Sequence, residues 1–462
     1  MFQSQAIDTT FGDLKKNLWL LAYPIMIGNL VQVCYNFADT FWVSKLAYST
    51  EAVASVSIVF SVEHLLMSLI MGFSAASATL ASQFYGAKRT GGLRETAYTT
   101  IHIFNLLTLI VTTFSFLFGR AILAFMKTPD AIMPYAIEYF NTILIAMIFM
   151  FAFYYLSALL RGVGDTKTPM IAGVLSGAFN IVLDPLLIFG IGPFPAMGIR
   201  GAAMATLIAR MLVAVYLFYM LFRKGNVMCL KPAGVFTFNA EIAKSIVRIG
   251  IPSSFSNIVI SLGWILVVTR VNQFGAHASA VYGIGNRIDS TMFQLSAGIQ
   301  FALATIVGQN IGAGKIDRAK ASISYALKSS FVLIAILSIF ATLLSDQIFG
   351  IFSSEDMIIN MGGIYVRSMA YGYAFVCCRM VLVGAFQGAG ATTFSMILSM
   401  ISLWVFRVPF AYAFSATTLG INGVWLGLGI SFVASYLFMY VFYKRVNWIK
   451  ENTLFKRELK CS

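Results

Sequence analysis

Apolar residues run through this chain in long unbroken stretches joined by short polar segments, not at the i, i+3, i+4 spacing of an amphipathic surface helix. Twelve such stretches can be marked, near 17–45, 52–81, 96–119, 134–160, 168–190, 198–222, 242–271, 278–308, 319–345, 359–387, 393–415 and 420–443. Crossing the hydrocarbon of a bilayer takes about 20 helical residues. The pattern therefore predicts an all-α polytopic membrane protein with twelve transmembrane helices, and almost no chain remains for a soluble domain.

Composition sharpens this. The chain is 59% hydrophobic and only 11% charged, which excludes an ordinary soluble domain. Its net charge of +14 would suggest nucleic acid on a soluble protein, but placement argues otherwise. Lys15, Lys16, Lys88, Arg89, Arg94, Arg161, Lys167, Arg223, Lys224, Lys231, Lys315, Arg318, Lys320 and the tail residues Lys444, Arg445, Lys450, Lys456, Arg457 and Lys460 fall in alternate connections. The opposite connections hold chiefly Lys45, Arg120, Lys127 and Arg200. The positive-inside rule then predicts cytoplasmic termini and a plasma-membrane protein whose tail meets anionic lipid, with no nucleic-acid partner. The first span follows Lys15-Lys16 without a small-residue cleavage site and reads as a retained signal anchor. The five cysteines, Cys34, Cys229, Cys377, Cys378 and Cys461, show no disulfide or zinc spacing and read as free thiols.

The chain repeats itself at an offset of about 226 residues. LASQFYGAKRTGGLRETA resembles IVGQNIGAGKIDRAKASI, aligning Gln83 with Gln309; ALLRGVGDTKTPMIAGVLS resembles GAFQGAGATTFSMILSMIS, aligning Gly162 and Gly164 with Gly388 and Gly390. GIRGAAMATLIAR resembles GINGVWLGLGISF, and the Pro24 region resembles that of Pro252. Each half has six spans, an even number, so both halves enter the membrane from one side. They are expected to form two six-helix bundles related by a pseudo-two-fold axis along the membrane normal. The expected division is an N-terminal bundle at 1–222, a cytoplasmic linker at 223–241, a C-terminal bundle at 242–445 and a basic cytoplasmic tail at 446–462. Two parallel halves suit alternating access and argue for a transporter.

Polar residues inside the spans are the candidate chemistry. A charged side chain near mid-membrane costs roughly 2.5–3.5 kcal/mol on insertion scales, so a retained one usually faces an ion or substrate path. Asp184 has Asn180 one helical turn back; Asp39 shares a face with Gln32 and with Tyr35 or Asn36. The alternative is a protonated carboxyl bonded between helices. The second half offers no acid matching either aspartate: its equivalent stretch reads SLWVFRVPFAY, with Arg407. Coupling chemistry is therefore assigned to the first half. Glu63-His64 in the second span is expected to form a structural bond to a neighbouring helix or water, or else a second titrating pair. Arg287 and Asp289, two apart, do not face each other and are expected to form ion pairs with other helices, Arg379 and Arg407 included. Pro24 weakens the ladder of the first helix and marks either a bending point or a static kink. His64, His102 and His277 lack ligand spacing, no Gly-x-Ser-x-Gly occurs, and no Walker-type lysine follows Gly86, Gly162-Val163-Gly164 or Gly312-Ala313-Gly314. An enzyme is not expected.

The segments PIMIGNLVQVCYNFADTFWVSKL, SQFYGAKR, ALLRGVGDTKTPM, NIVLDPLLIFGIGPFPAMGIRGAAMAT and VGQNIGAGK together resemble the multidrug and toxic compound extrusion (MATE) transporters, over both halves. Acids in the first and fifth spans with none in the seventh resemble the branch of archaeal and DNA-damage-inducible F members. That resemblance implies a proton or Na+ coupling site at Asp39, Asn180, Asp184 and Thr206, with Gln32, Tyr35, Asn36 and Tyr139 lining the adjoining cavity. It implies a monomeric secondary antiporter that exports amphipathic, often cationic organic compounds and needs no cofactor beyond the coupling ion. A lipid-linked precursor flippase of the same superfamily is the alternative, and should carry a strongly basic central cavity. Arg210, Arg287, Arg379 and Arg407 are its only candidates.

Overall fold

A backbone crossing hydrocarbon must satisfy every N–H and C=O within the chain, which a continuous helix does. The computed structural model shows this throughout. It describes residues 6–43, 45–46, 49–223, 225–228 and 230–449, except for the side chains of Asn36, Thr40, Ser49, Thr50, Glu51 and Ala233. Cys229, Cys461 and the tail from Lys450 onward lie outside the described residues.

The helices are α1 (Leu14–Val43), α2 (Ser49–Gly86), α3 (Thr90–Phe125), α4 (Met133–Gly162), α5 (Lys167–Phe189), α6 (Gly198–Phe222), α7 (Ala240–Asn272), α8 (Ala276–Gly312), α9 (Ile316–Leu343), α10 (Ser345–Phe352), α11 (Asp356–Gly388), α12 (Thr392–Ile401), α13 (Val408–Ser415) and α14 (Ile421–Arg445). Among the described residues there are twelve spans long and apolar enough to cross a membrane, α12 and α13 together forming the eleventh. The outer surface of α3 exposes Leu109, Ile110, Phe114, Phe116 and Leu117, each by more than half, as a lipid-facing helix should.

Two details depart from the sequence expectation. The short α10 precedes the tenth span, and the eleventh is not uniformly α-helical. Residues Ser402–Arg407 form a π-turn in which the Val408 N–H reaches the Leu403 carbonyl, five residues back. Pro409 supplies the reason: it has no N–H for the Val405 carbonyl, so the regular i to i−4 ladder cannot continue through it.

The repeat is visible in the packing. A Cβ on Gly162 would stand 2.8 Å from both the Ala78 carbonyl and Ala81 Cβ, so the end of α4 lies directly against α2. In the second half, Gly388 at the end of α11 meets the Ala304 carbonyl and Val307 of α8 in the same way. Ala78 and Ala304, like Ala81 and Val307, are separated by the 226 residues that separate Gln83 from Gln309. One pair of close helix crossings was thus built twice.

The compact units are Met1–Asp8 with Ile27–Ile251, and Thr9–Met26 with Pro252–Ser462. These limits redraw the division at 222 and 242. The first half of α1 belongs to the second unit, and the first twelve residues of α7, 240–251, belong to the first. The cause is local bonding. In the second unit, Gln309 accepts hydrogen bonds from the Thr9 N–H at 2.9 Å and the Thr9 hydroxyl at 2.7 Å. Arg318 holds the carbonyls of Thr9, Phe11 and Gly12, and Lys315 donates to that of Thr10. The glycine-rich segment VGQNIGAGK therefore grips the backbone preceding α1, with Gly314 at φ +72° making the turn.

Candidate coupling site

In the first unit α5 and α6 pack side by side, made possible by Gly201, whose absent Cβ lets α6 approach the Leu187 carbonyl of α5. This brings Asn180 and Asp184, one turn apart on α5, to Thr206 on α6. All three are at most 2% exposed. With its amide nitrogen turned toward Asp184, Asn180 donates to Asp184 Oδ2 at 2.8 Å, while its oxygen accepts from the Thr206 hydroxyl at 3.2 Å and the Thr206 N–H at 3.3 Å. That orientation satisfies both neighbours; the opposite one leaves only the Asn180 to Thr206 hydroxyl bond. The Thr206 hydroxyl also meets the Tyr35 hydroxyl at 3.3 Å, tying in α1.

Asp39 is buried on α1, and its Oδ1 has no hydrogen-bond partner among the described residues. Its electrostatic neighbours include Arg210 and Glu63, and it acts in turn on Asp184 and Tyr139. The structure thus brings Asp39, Asn180, Asp184, Thr206, Tyr35 and Tyr139 into one region. Gln32 is an exposed residue of α1, and the side chain of Asn36 lies outside the described residues.

Glu63 adds a feature to this region. Its Oε1 lies 2.9 Å from Nη2 of Arg210, joining α2 to α6. The neighbouring histidine does not take part: His64 points outward, its ring 6.3 Å from that of Phe60 on the same helix. Adjacent residues on a helix point about 100° apart, which rules out a shared titrating pair. The partner Arg210 was not foreseen, because an arginine on α6 and an acid on α2 become neighbours only through tertiary packing.

The second unit holds a related arrangement. Asp289 lies 226 residues after Glu63, the repeat offset, and is fully buried on α8. Its Oδ2 accepts from the Tyr365 hydroxyl at 2.8 Å, and its Oδ1 accepts from Tyr373. Tyr365 is itself the 226-residue counterpart of Tyr139. Tyrosine hydroxyls thus hold Asp289, on which Arg407 also acts electrostatically, and Arg287 lies over the ring of Phe352 at 5.5 Å. A phenol reaches a buried carboxylate without bringing in a second charge that must also be desolvated.

Three carboxyls, Asp39, Glu63 and Asp184, are therefore linked electrostatically, with Arg210 acting on Asp39 and Glu63. Arg210 pairs with Glu63, so among the described residues neither Asp39 nor Asp184 has a direct ion pair. Two chemistries suit them: each can take up a proton, or the oxygen-only donors of Asp184, Asn180 and Thr206 can hold a hard cation. No group of three or more His, Cys, Asp or Glu residues placed to hold a metal ion occurs among the described residues.

Comparisons with known proteins agree with this architecture. "Probable multidrug resistance protein YoeA" of Bacillus subtilis is 29% identical over 391 residues, covering 83% of this chain and 84% of that protein. A MOP-superfamily transporter from Pyrococcus furiosus Vc1, described as having a binding pocket of reversed polarity, superposes with a TM-score of 0.90 at 27% identity, covering 98% of this chain and 100% of its own. An outward-facing multidrug resistance MATE transporter superposes with a TM-score of 0.89 at 27% identity, covering 96% and 98%. The MatE family profile matches residues 24–186 and again 252–413, once in each half. This chain belongs to the MatE family of multidrug transporters, and is not an enzyme.

Proposed function

We propose that this protein is a secondary antiporter that exports amphipathic, often cationic organic compounds in exchange for H+ or Na+. The carrying observation is the charge imbalance of the first unit: Asp39 and Asp184 are buried without a direct ion pair among the described residues, and the guanidinium that acts on Asp39 is bonded to Glu63. An uncompensated carboxylate in such a place is costly, so entry of a proton or cation is favourable, and its release must accompany a conformational change. Asp39 and Asp184 act as the exchanging carboxyls, Asn180 and Thr206 orient Asp184, and Tyr35 links this group to α1. Thr206, Asn180 and the two acids are the oxygen ligands when Na+ is the ion. Pro24 gives α1 a point of bending, because the helix lacks one backbone hydrogen bond there.

An outward-facing relative supports alternating access as the mode of transport. The protein acts as a monomer in the plasma membrane with both termini in the cytoplasm, a placement of the termini that the distribution of Lys and Arg supports. The test is efflux of a cationic dye from proteoliposomes under a sodium gradient and a proton gradient imposed separately. Acceleration by one of them supports the antiporter; indifference to both, for every organic cation tried, overturns it in favour of the flippase.

A further inference from the structure

The second unit contains a buried guanidinium that, among the described residues, makes no direct ion pair. Arg407 is 9% exposed, at the end of the π-turn that precedes Pro409. Its guanidinium carbon lies 4.1 Å from the ring centre of Trp264 on α7 and 4.9 Å from that of Phe432 on α14. Phe293 closes the group, edge-on to both rings at 6.1 and 6.2 Å. The rings hold the guanidinium plane in place but offer it no hydrogen-bond acceptor.

Two donors of Arg407, Nε and Nη2, are buried with no hydrogen-bond partner among the described residues. They are not scattered: Nε–H and one N–H of Nη2 form a single edge of the guanidinium, the parallel fork that matches two oxygens of a carboxylate or phosphate. Asp289 acts on Arg407 electrostatically, but its oxygens accept from Tyr365 and Tyr373, and neither Nε nor Nη2 of Arg407 is hydrogen-bonded to them. Tyr282, an electrostatic neighbour of Arg407, is stacked on Trp425 at 5.9 Å, and its hydroxyl is likewise buried without a partner. Arg379 adds a second positive charge nearby. A buried cation with a complete unsatisfied fork is costly unless an anion meets it, and π-turns of this kind are frequent at functional sites.

We propose that Arg407, with Tyr282 beside it and Trp264 and Phe432 against the guanidinium faces, is a binding site for the oxyanion group of an amphipathic aromatic compound. The fork takes two oxygens, the tyrosine hydroxyl donates to one of them, and the rings pack on the compound's aromatic part. Cargo of this transporter then includes organic anions and zwitterions, recognised in the second unit. This goes beyond the ion-coupled export reading and does not depend on it, because binding is measured without transport.

The experiment uses the purified full-length chain in detergent and isothermal titration with 2-naphthoate, 2-naphthyl phosphate, 2-naphthylmethanol and 2-naphthylmethylammonium. Wild type should bind the carboxylate and the phosphate at least about ten-fold more tightly than the neutral alcohol. Arg407→Gln should abolish that preference. Arg407→Lys keeps the charge but loses the fork, and should reduce the preference several-fold while melting near the wild-type temperature, so the test survives if the glutamine variant fails to fold. Equal binding of naphthoate and naphthylmethanol by wild type, or an undiminished preference in Arg407→Lys, overturns the proposal. Repeating the naphthoate titration in phosphatidylcholine nanodiscs with and without phosphatidylglycerol separates the two sources of oxyanion. Unchanged affinity supports a soluble compound, whereas loss of naphthoate binding with phosphatidylglycerol present assigns the fork to a lipid headgroup and overturns it.

Discussion

Breaking the Glu63–Arg210 pair offers a quantitative check on how the first unit is held together. The two groups are 2.9 Å apart, with side chains 11% and 14% exposed. At an effective dielectric constant of about 20, their direct attraction is roughly 6 kcal/mol, much of it offset by the cost of removing both charges from water. The net value of the pair is therefore small, but removing one member strands the other. Glu63→Gln and Arg210→Met should each destabilise by about 3–5 kcal/mol, whereas the double variant should lose less than either single change. The assay is a double-mutant cycle on thermal melting of purified protein in detergent, with ligand-free conditions and detergent held fixed. The single variants should melt several degrees low, and the double variant should recover much of the difference. A double variant whose loss equals the sum of the two single losses would show that the residues act independently, and the assignment of Arg210 to Glu63 would fall with it.

Other consequences follow from the same contacts. Gly162→Ala and Gly388→Ala should each cost about 1–3 kcal/mol by forcing apart the repeated helix crossings, and equal, near-zero shifts in melting temperature would contradict the close approach. Tyr365→Phe and Tyr373→Phe should each destabilise the second unit by about 1.5–3 kcal/mol, through loss of a hydrogen bond to Asp289, while leaving the ion dependence of efflux unchanged. Thr206→Ala removes the hydroxyl that donates to Asn180 and meets Tyr35, and should raise the coupling-ion concentration needed for half-maximal efflux several-fold; an unchanged concentration dependence would separate Thr206 from the ion.

Much of the fold was legible because hydrocarbon imposes one requirement on every span: a long apolar helix. Twelve of them, and their repetition, could be read from runs of residues and from Gln83, Gly162 and their counterparts 226 residues on. Asn180 and Asp184 were readable as one group because a single helical turn relates them. Thr206, placed by resemblance, is joined to them by the glycine-mediated contact of α5 and α6. What escaped was tertiary. Glu63 meets Arg210 across two helices, and Asp289 meets two tyrosines from α11 instead of an arginine, because a buried acid takes whichever donor its neighbouring helix presents. The offset that aligned the glycines also aligned Glu63 with Asp289 and Tyr139 with Tyr365, so a sequence signal for the duplicated acid was present. The exchange of chain at the first and seventh helices was not legible: Thr9 and Gln309 lie 300 residues apart, and no periodicity reports their hydrogen bond.

If Asp184 exchanges the coupling ion, removing its charge must uncouple transport from the gradient. Asp184→Asn keeps the shape of the carboxyl and its place beside Asn180 but cannot gain or lose charge. The decisive measurement is the initial rate of dye efflux from proteoliposomes containing wild type or Asp184→Asn, each with its melting temperature, under the gradient that drives the wild type. The asparagine variant should melt normally and show no gradient-driven efflux; efflux at the wild-type rate, with the same dependence on the gradient, would remove Asp184 from ion exchange.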